Sequence, residues 1–313
     1  MKLSLISTVL NEEETVENLF NSITAQTKNP DEIIIVDGGS TDNTLSVISN
    51  FQFPISNKKI KVRTLVRRGN RSVGRNEAIN NATGDIILCT DAGNTLDKDW
   101  VKNIIKPFED PKVDVVAGYY KGEAKNIFQK CLIPYVLVMP DRANPNNFLP
   151  ATRSMAFRKS VWEKNGGFDE KLSHNEDYAF ARKLKENKFN IVFAKDAIVN
   201  WMPPKSIWKA FIMFFRFAYG DAEAGIYRPK ALFVLARYLF GIILFIFFLF
   251  TNSLFLFVLL WVFLLNYITW SILKNYRYVR SSIVMIYLPL IQFISDIAVI
   301  FGTAIGFMTR FRK

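Results

Sequence analysis

The sequence has 313 residues, half of them hydrophobic, a mean hydropathy of +0.12 and a net charge of +12. That length exceeds a usual single domain, and that apolar content exceeds what a wholly soluble chain needs, so membrane contact is expected. Disorder, collagen and a disulfide scaffold are excluded: the only cysteines, Cys89 and Cys131, each sit in an apolar stretch and read as buried thiols.

The first apolar run, Leu3 to Val9, is too short for a secretory leader and acids follow it, so it reads as a buried strand. Glu12 to Glu14 opens a helix ending near Ala25. Asp31 to Val36 is a second strand, running into Asp37-Gly38-Gly39-Ser40-Thr41-Asp42. A helix, a strand near Val62–Val66, a helix around Ser72–Asn81 and a strand at Asp85–Thr90 follow, the last ending at Asp91. Strands alternating with helices predict an α/β fold with a mostly parallel sheet, its ligand groups at the carboxyl ends of the strands. Met139–Pro150, rich in Pro and Asn, is either a plain connection or a mobile acceptor loop.

From Trp201 the composition changes. Ser206–Tyr219 carries Trp208, Phe211, Phe214, Phe215 and Phe217 against two charges, Lys209 and Arg216, which fits a helix in the plane of a membrane interface; a buried core helix is the plainer alternative. Gly220–Lys230 reads as a polar link. Between Arg237 and Lys274 no charge occurs over 36 residues. One helix of that length would measure ~54 Å against a hydrocarbon core of ~30 Å. Thr251-Asn252-Ser253 is the polar break, so two membrane helices are predicted at about 232–250 and 253–273, with a third at 282–308 that contains Gln292 and Asp296. The expected division is 1–202, 203–230 and 231–313.

Basic residues flank these apolar runs rather than clustering with stacking aromatics, which suits anionic lipid and speaks against nucleic acid. Arg228, Lys230, Arg237, Lys274, Arg277 and Arg280 agree with a cytoplasmic front region, whereas Arg310, Arg312 and Lys313 conflict with three full spans. An acid at membrane depth, Asp296, either marks function or pairs with a neighbouring helix.

The candidate chemistry sits at strand ends. Asp37, followed by two glycines, is either a turn cap or an acceptor for a base or ribose. Asp91 ends a strand and suits a ribose hydroxyl or a divalent cation beside a diphosphate. Arg71 and Arg75, around Gly74, are phosphate-type residues or a solvated helix face. Glu176-Asp177 follows Gly166-Gly167-Phe168-Asp169 and supplies either a general base or acids at a helix start. His174, the only histidine, reads as structural, and neither a P-loop nor a GxGxxG motif is present.

Four segments in order, Leu5–Glu13, Ile35–Thr44, Gly74–Asp91 and Gly166–Arg182, resemble the family 2 glycosyltransferases of the GT-A fold. The resemblance covers about residues 1–202. It implies that Thr8, Asn11 and Glu12 line the nucleotide pocket, that Asp37 meets the base with Asp42 in the same turn, and that Arg71, Arg75 and Asn76 lie at the donor. It implies that Asp91 is the first acid of the DxD motif, and that Asp177 is the catalytic base with Glu176 beside it. The implied reaction is an inverting transfer from a nucleotide-sugar, assisted by Mg2+ or Mn2+. The partners implied are that donor, a lipid-linked or glycan acceptor hydroxyl, and membrane lipids. Two departures stand out. The DxD here is Asp91-Ala92-Gly93, with Asn94 as the nearest further oxygen, and Asn200-Trp201 replaces the late histidine ligand. The QxxRW-like motif of processive synthases is absent, and Arg216 lacks that context. A polyprenyl-phosphate acceptor and an inactive nucleotide-sugar-binding scaffold are the alternatives to transfer onto a hydroxyl.

Overall fold

The computed structural model describes residues 1–52 and 60–312. Lys313, counted above in the basic tail, lies outside the described residues. The chain divides into two compact units: residues 1–123 with 138–202, and residues 124–137 with 203–313. The second unit thus gathers a segment from the middle of the sequence.

In the first unit, β1 (Leu3–Val9), α1 (Val16–Thr24), β2 (Glu32–Asp37), α2 (Thr44–Asn50), β3 (Lys61–Val66), α3 (Arg71–Asn81) and β4 (Ile86–Cys89) follow the expected alternation. They continue into β5 (Asn94–Leu96), α4 (Trp100–Ile105) and β6 (Val115–Gly122). One sheet of eight strands, in the order β3-β2-β1-β4-β7-β6-β8-β5, is completed by β7 (Met155–Arg158) and β8 (Ile191–Trp201). β2 is buried along its whole length, as a central parallel strand covered on both faces must be. β3 is mostly exposed and carries Lys61 and Arg63, charges that guard a sheet edge.

The sheet is parallel from β3 to β4 and mixed beyond it. β7 runs antiparallel to both β4 and β6, and β5 runs antiparallel to β8. The chain leaves the sheet after β6, passes through residues 124–137 and comes back into β7 in the opposite sense, so no right-handed crossover forms there. β1 has parallel neighbours on both sides, β2 and β4, and the carboxyl ends of strands at such a switch point are where open α/β sheets take ligands.

Asn70 caps α3 by accepting from the Val73 amide at 3.1 Å. A Cβ on Gly74 would meet Thr8 Cγ2 at 2.8 Å, so the glycine lets α3 lie close against β1. α6 (Lys159–Asn165) ends on Gly166 in the left-handed conformation, φ 78°. α7 (Glu176–Glu186) begins after Asn175, also left-handed at φ 55°. Residues 139–150 form two short 3-10 turns, and Phe148 packs its ring 4.3 Å from that of Phe193. Both cysteines are free and buried, the first in this unit and the second in the other.

The second unit holds α5 (Ile127–Val136), α8 (Ile207–Glu223), α9 (Pro229–Thr251), α10 (Leu254–Val279) and α11 (Val284–Arg312). The last three are long and apolar enough to cross a membrane. They run several residues beyond the expected limits because Arg and Lys at their ends extend the helix without breaking it. α8 differs more from expectation. Its face Ala210, Phe214, Ala218 and Ala222 is buried, and Gly302 and Gly306 of α11 let its backbone approach closely: a Cβ on Gly302 would stand 2.5 Å from the Phe215 carbonyl. The helix therefore packs on α11 along one face. Trp208 stays largely exposed on the other, at the head of a stacked row with Phe211, Phe215 and Tyr219. The expected polar link starts inside this helix, where Asp221 is buried and takes Arg228 as a two-point ion pair.

Asp296 pairs with its neighbours. Its carboxylate meets the Arg237 guanidinium at 2.5 Å, accepts from Tyr267 at 2.8 Å and accepts from Gln292 at 2.8 Å. The clasp joins α9, α10 and α11, which is how a buried acid is tolerated among apolar helices.

Candidate active site

The carboxyl ends of β1, β2 and β4 present residues 10–12, 37–42 and 90–94 along one edge of the first unit's sheet. Arg75, on the second turn of α3 and 4% exposed, reaches into this edge. One guanidinium nitrogen lies 2.5 Å from Glu176 Oε1 and another 2.9 Å from Asp91 Oδ1. Its ring neighbour is Phe168, 5.6 Å from the guanidinium carbon. Arg75 thus ties α3 to Glu176, 101 positions further along the chain.

The three acids of this cluster have different electrostatic fates. Glu176 is buried and neutralised by Arg75. Burial pushes the Asp91 carboxyl up, but the Arg75, Arg153 and Arg71 charges outweigh it and hold Asp91 below the ordinary carboxylate value. Asp177, half-buried at the start of α7, moves the other way: burial first, then the Glu176 charge, raise it above the ordinary value. One acid stays ionised and a neighbour is poised toward proton uptake, the division of labour that acid–base chemistry uses. Burial and like charge also raise Glu12, against the hydrogen bond from Thr15.

Other expected site residues are spent elsewhere. Asn76 donates to the Phe168 carbonyl at 2.8 Å and to Glu170 at 2.9 Å, and accepts from the Phe168 amide at 3.0 Å and the Trp162 indole at 3.1 Å. An amide side chain has two donors and two acceptor sites, so none is left for a donor sugar. Asn76 is a clamp on the 166–170 loop. Asp37 is fully buried and accepts from the Gly39 and Ser40 amides and the Ser40 hydroxyl, all within 2.9 Å. It caps its own turn. Asn11, at φ 55°, ties that turn to β1 by accepting from the Thr41 amide at 2.8 Å, and Asp42 accepts from Thr44. Arg71 is exposed, near enough to Glu12 and Asp91 to stabilise both negative charges. His174 sits against Ser173 at 2.9 Å.

Two residues not singled out in the sequence belong here. Thr152, buried, donates to Asp91 Oδ1 at 3.2 Å. Arg153 lies over the rings of Tyr120 at 5.3 Å and Trp201 at 5.5 Å. No spacing signal marks them, because the segment just before β7 reaches the site only through the antiparallel half of the sheet.

Among the described residues no group of three or more His, Cys, Asp or Glu could hold a metal ion. A smaller donor set is present. Arg75 and Thr152 both use Asp91 Oδ1, and among the described residues Asp91 Oδ2 accepts no hydrogen bond and the buried Asn94 Oδ1 has no partner. One ionised carboxylate, one amide oxygen and a ligand's diphosphate are a sufficient set for Mg2+ or Mn2+.

Comparison with known proteins decides the family. Residues 4–164 match glycosyl transferase family 2, and residues 86–294 match glycosyl transferase family group 2. The chain is a family 2 glycosyltransferase. This glycosyltransferase is 24% identical over 237 residues to the O-antigen chain rhamnosyltransferase RfbN of Salmonella typhimurium, covering 67% of this chain and 71% of that one. It is 26% identical over 233 residues to the poly-beta-1,6-N-acetyl-D-glucosamine synthase of Staphylococcus epidermidis, covering 71% of this chain and 55% of the synthase. It is 36% identical over 125 residues to an uncharacterized glycosyltransferase, YfnE, of Bacillus subtilis, of which it spans only 30%. In structure it resembles the mannosyltransferase PcManGT from Pyrobaculum calidifontis, solved with GDP-Man and Mn2+, at a TM-score of 0.65 with 20% identity, covering 96% of this chain and 87% of that one. TarS of S. aureus in complex with UDP matches at 0.51 with 21% identity, covering 70% of this chain and 64% of that one. The fold is GT-A-like.

Proposed function

We propose that this glycosyltransferase moves a sugar from a nucleotide-sugar to a hydroxyl of a membrane-associated, lipid-linked glycan on the cytoplasmic face, with inversion at the anomeric carbon. The observation that carries this reading is the raised Asp177 beside the Arg75 cluster. The acceptor hydroxyl oxygen attacks the anomeric carbon and its proton passes to Asp177. The bond from that carbon to the diphosphate oxygen breaks, and its electron pair leaves on the nucleoside diphosphate. Arg75 keeps Glu176 from repelling the substrate and fixes Asp91 toward the nucleotide side. Asp91 Oδ2 and Asn94 would hold a divalent cation, which when bound supplies positive charge to the diphosphate. The apolar helices α9–α11 explain how a lipid-held acceptor and a soluble donor meet one enzyme.

The test is transfer from a panel of UDP-, GDP- and dTDP-sugars to lipid-linked glycan extracted from bacterial membranes, with purified protein in detergent. Nucleotide release and labelled glycolipid from one donor, absent in Asp177→Asn, support the reading. Transfer to a bare polyprenyl phosphate that survives Asp177→Asn replaces it with the phosphate-acceptor reaction, since an ionised acceptor needs no base.

A further inference from the structure

Arg153 is a cation of the site that rests on two aromatic rings rather than on an acid. The Thr90 hydroxyl, one residue before Asp91, donates to the Arg153 carbonyl at 3.2 Å, and the adjacent Thr152 bonds Asp91 itself. Tyr120 and Trp201 hold the guanidinium by their ring faces, and Trp201 stands opposite Asn94 in the β5–β8 pair. The group is therefore fixed at the edge where Asp91 and Asn94 lie, and its charge reaches both Asp91 and Asp177. Yet among the described residues no carboxylate lies within ion-pair distance of it, and its side chain makes no hydrogen bond. Arg75 has spent its charge on two acids. Arg153 keeps all five of its N–H donors, on a plane held by two rings, which is the geometry that recognises phosphate.

We propose that Arg153 binds the leaving diphosphate of the donor, resting on the nucleotide-sugar reading above. As the sugar–oxygen bond breaks, its electron pair settles on the terminal phosphate oxygen, and the guanidinium hydrogen bonds to that oxygen strengthen as charge grows there. The proton balance is unchanged, because the acceptor proton goes to Asp177. This gives the motif departures a physical sense. By the resemblance, Ala92 and Gly93 stand where a second acid is missing, and Asn200-Trp201 occupies the neighbourhood of the missing late histidine. Trp201 instead supports a cation that contributes positive charge from the protein.

Calorimetric titration with UDP, GDP and dTDP and with the matching monophosphates tests this, in wild type, Arg153→Gln and Arg153→Lys, with Mg2+ and with EDTA. Thermal unfolding verifies that each variant is folded. The expected result is a loss of at least tenfold in diphosphate affinity in Arg153→Gln, a change under twofold for the monophosphate, and partial recovery in Arg153→Lys. The diphosphate loss is expected to be larger in EDTA. Equal diphosphate affinity in wild type and a folded Arg153→Gln overturns the assignment while leaving the nucleotide-sugar reading intact. A wild type that binds none of the nucleotides removes that reading and this assignment together.

Discussion

Replacing Arg75 by Met removes the one cation between Glu176 and Asp91 while keeping an apolar stem of similar length. Glu176 is 3% exposed, so water does not take over from the lost guanidinium, and among the described residues no other cation lies within ion-pair distance of its carboxylate. Breaking a buried ion pair from one side costs about 3–5 kcal/mol. Asp91, half-buried, loses less because solvent still reaches it. For a unit of this size each kcal/mol lowers the midpoint by about 2–4 °C, so the expected shift is about 6–20 °C. Thermal unfolding in detergent, followed by intrinsic fluorescence, reads it. The double variant Arg75→Met/Glu176→Gln should recover much of the loss, because the stranded charge is gone. A midpoint within 2 °C of wild type for Arg75→Met, or no recovery in the double variant, refutes the role of Arg75 as the buried neutraliser of Glu176.

Asp177 is raised by burial and by Glu176, and it accepts a proton only when ionised, so the rate falls as pH drops through its pKa. The acidic limb of kcat/KM should therefore lie above the ordinary carboxylate value of about 4, and a limb at or below that value contradicts the assignment. Asn76→Ala strands the Trp162 indole and the Phe168 amide and should destabilise by about 1–3 kcal/mol while leaving nucleotide affinity within twofold; a selective loss of affinity would return Asn76 to the donor. Gly306→Ala places a methyl group against the Tyr219 carbonyl and should cost about 1–3 kcal/mol in thermal unfolding, with faster proteolysis in α8; an unchanged protein denies the close α8–α11 packing.

The parallel half of the sheet was legible because its strands are continuous apolar runs broken by Gly and Asp at their ends, as in Ile33–Val36 before Asp37. The helices α9 and α10, long and apolar enough to cross a membrane, were legible for a similar reason: 36 residues without charge leave few alternatives. The antiparallel half was not, since β5 has three residues and β7 four, too short for a period to show. The motif acids at 91 and 176 pair with Arg75 and Asp177 stands beside them, a grouping across distant segments, but the use of Asp37 and Asn76 by their own loops is a matter of hydrogen-bond geometry that residue identity does not reveal. Arg153 and Thr152 reach the site through a strand order that sequence spacing does not encode. The fate of α8 turned on two glycines of α11, more than 80 residues away.

The most direct test of the central claim compares wild type with Asp177→Asn for both binding and turnover of the nucleotide-sugar that the panel identifies. The variant should bind that donor within a few-fold of wild type and lose turnover by about 10²–10⁴-fold, the usual contribution of a general base. Turnover that persists in a folded Asp177→Asn protein would contradict Asp177 as the base and, with it, transfer to a neutral hydroxyl by this site.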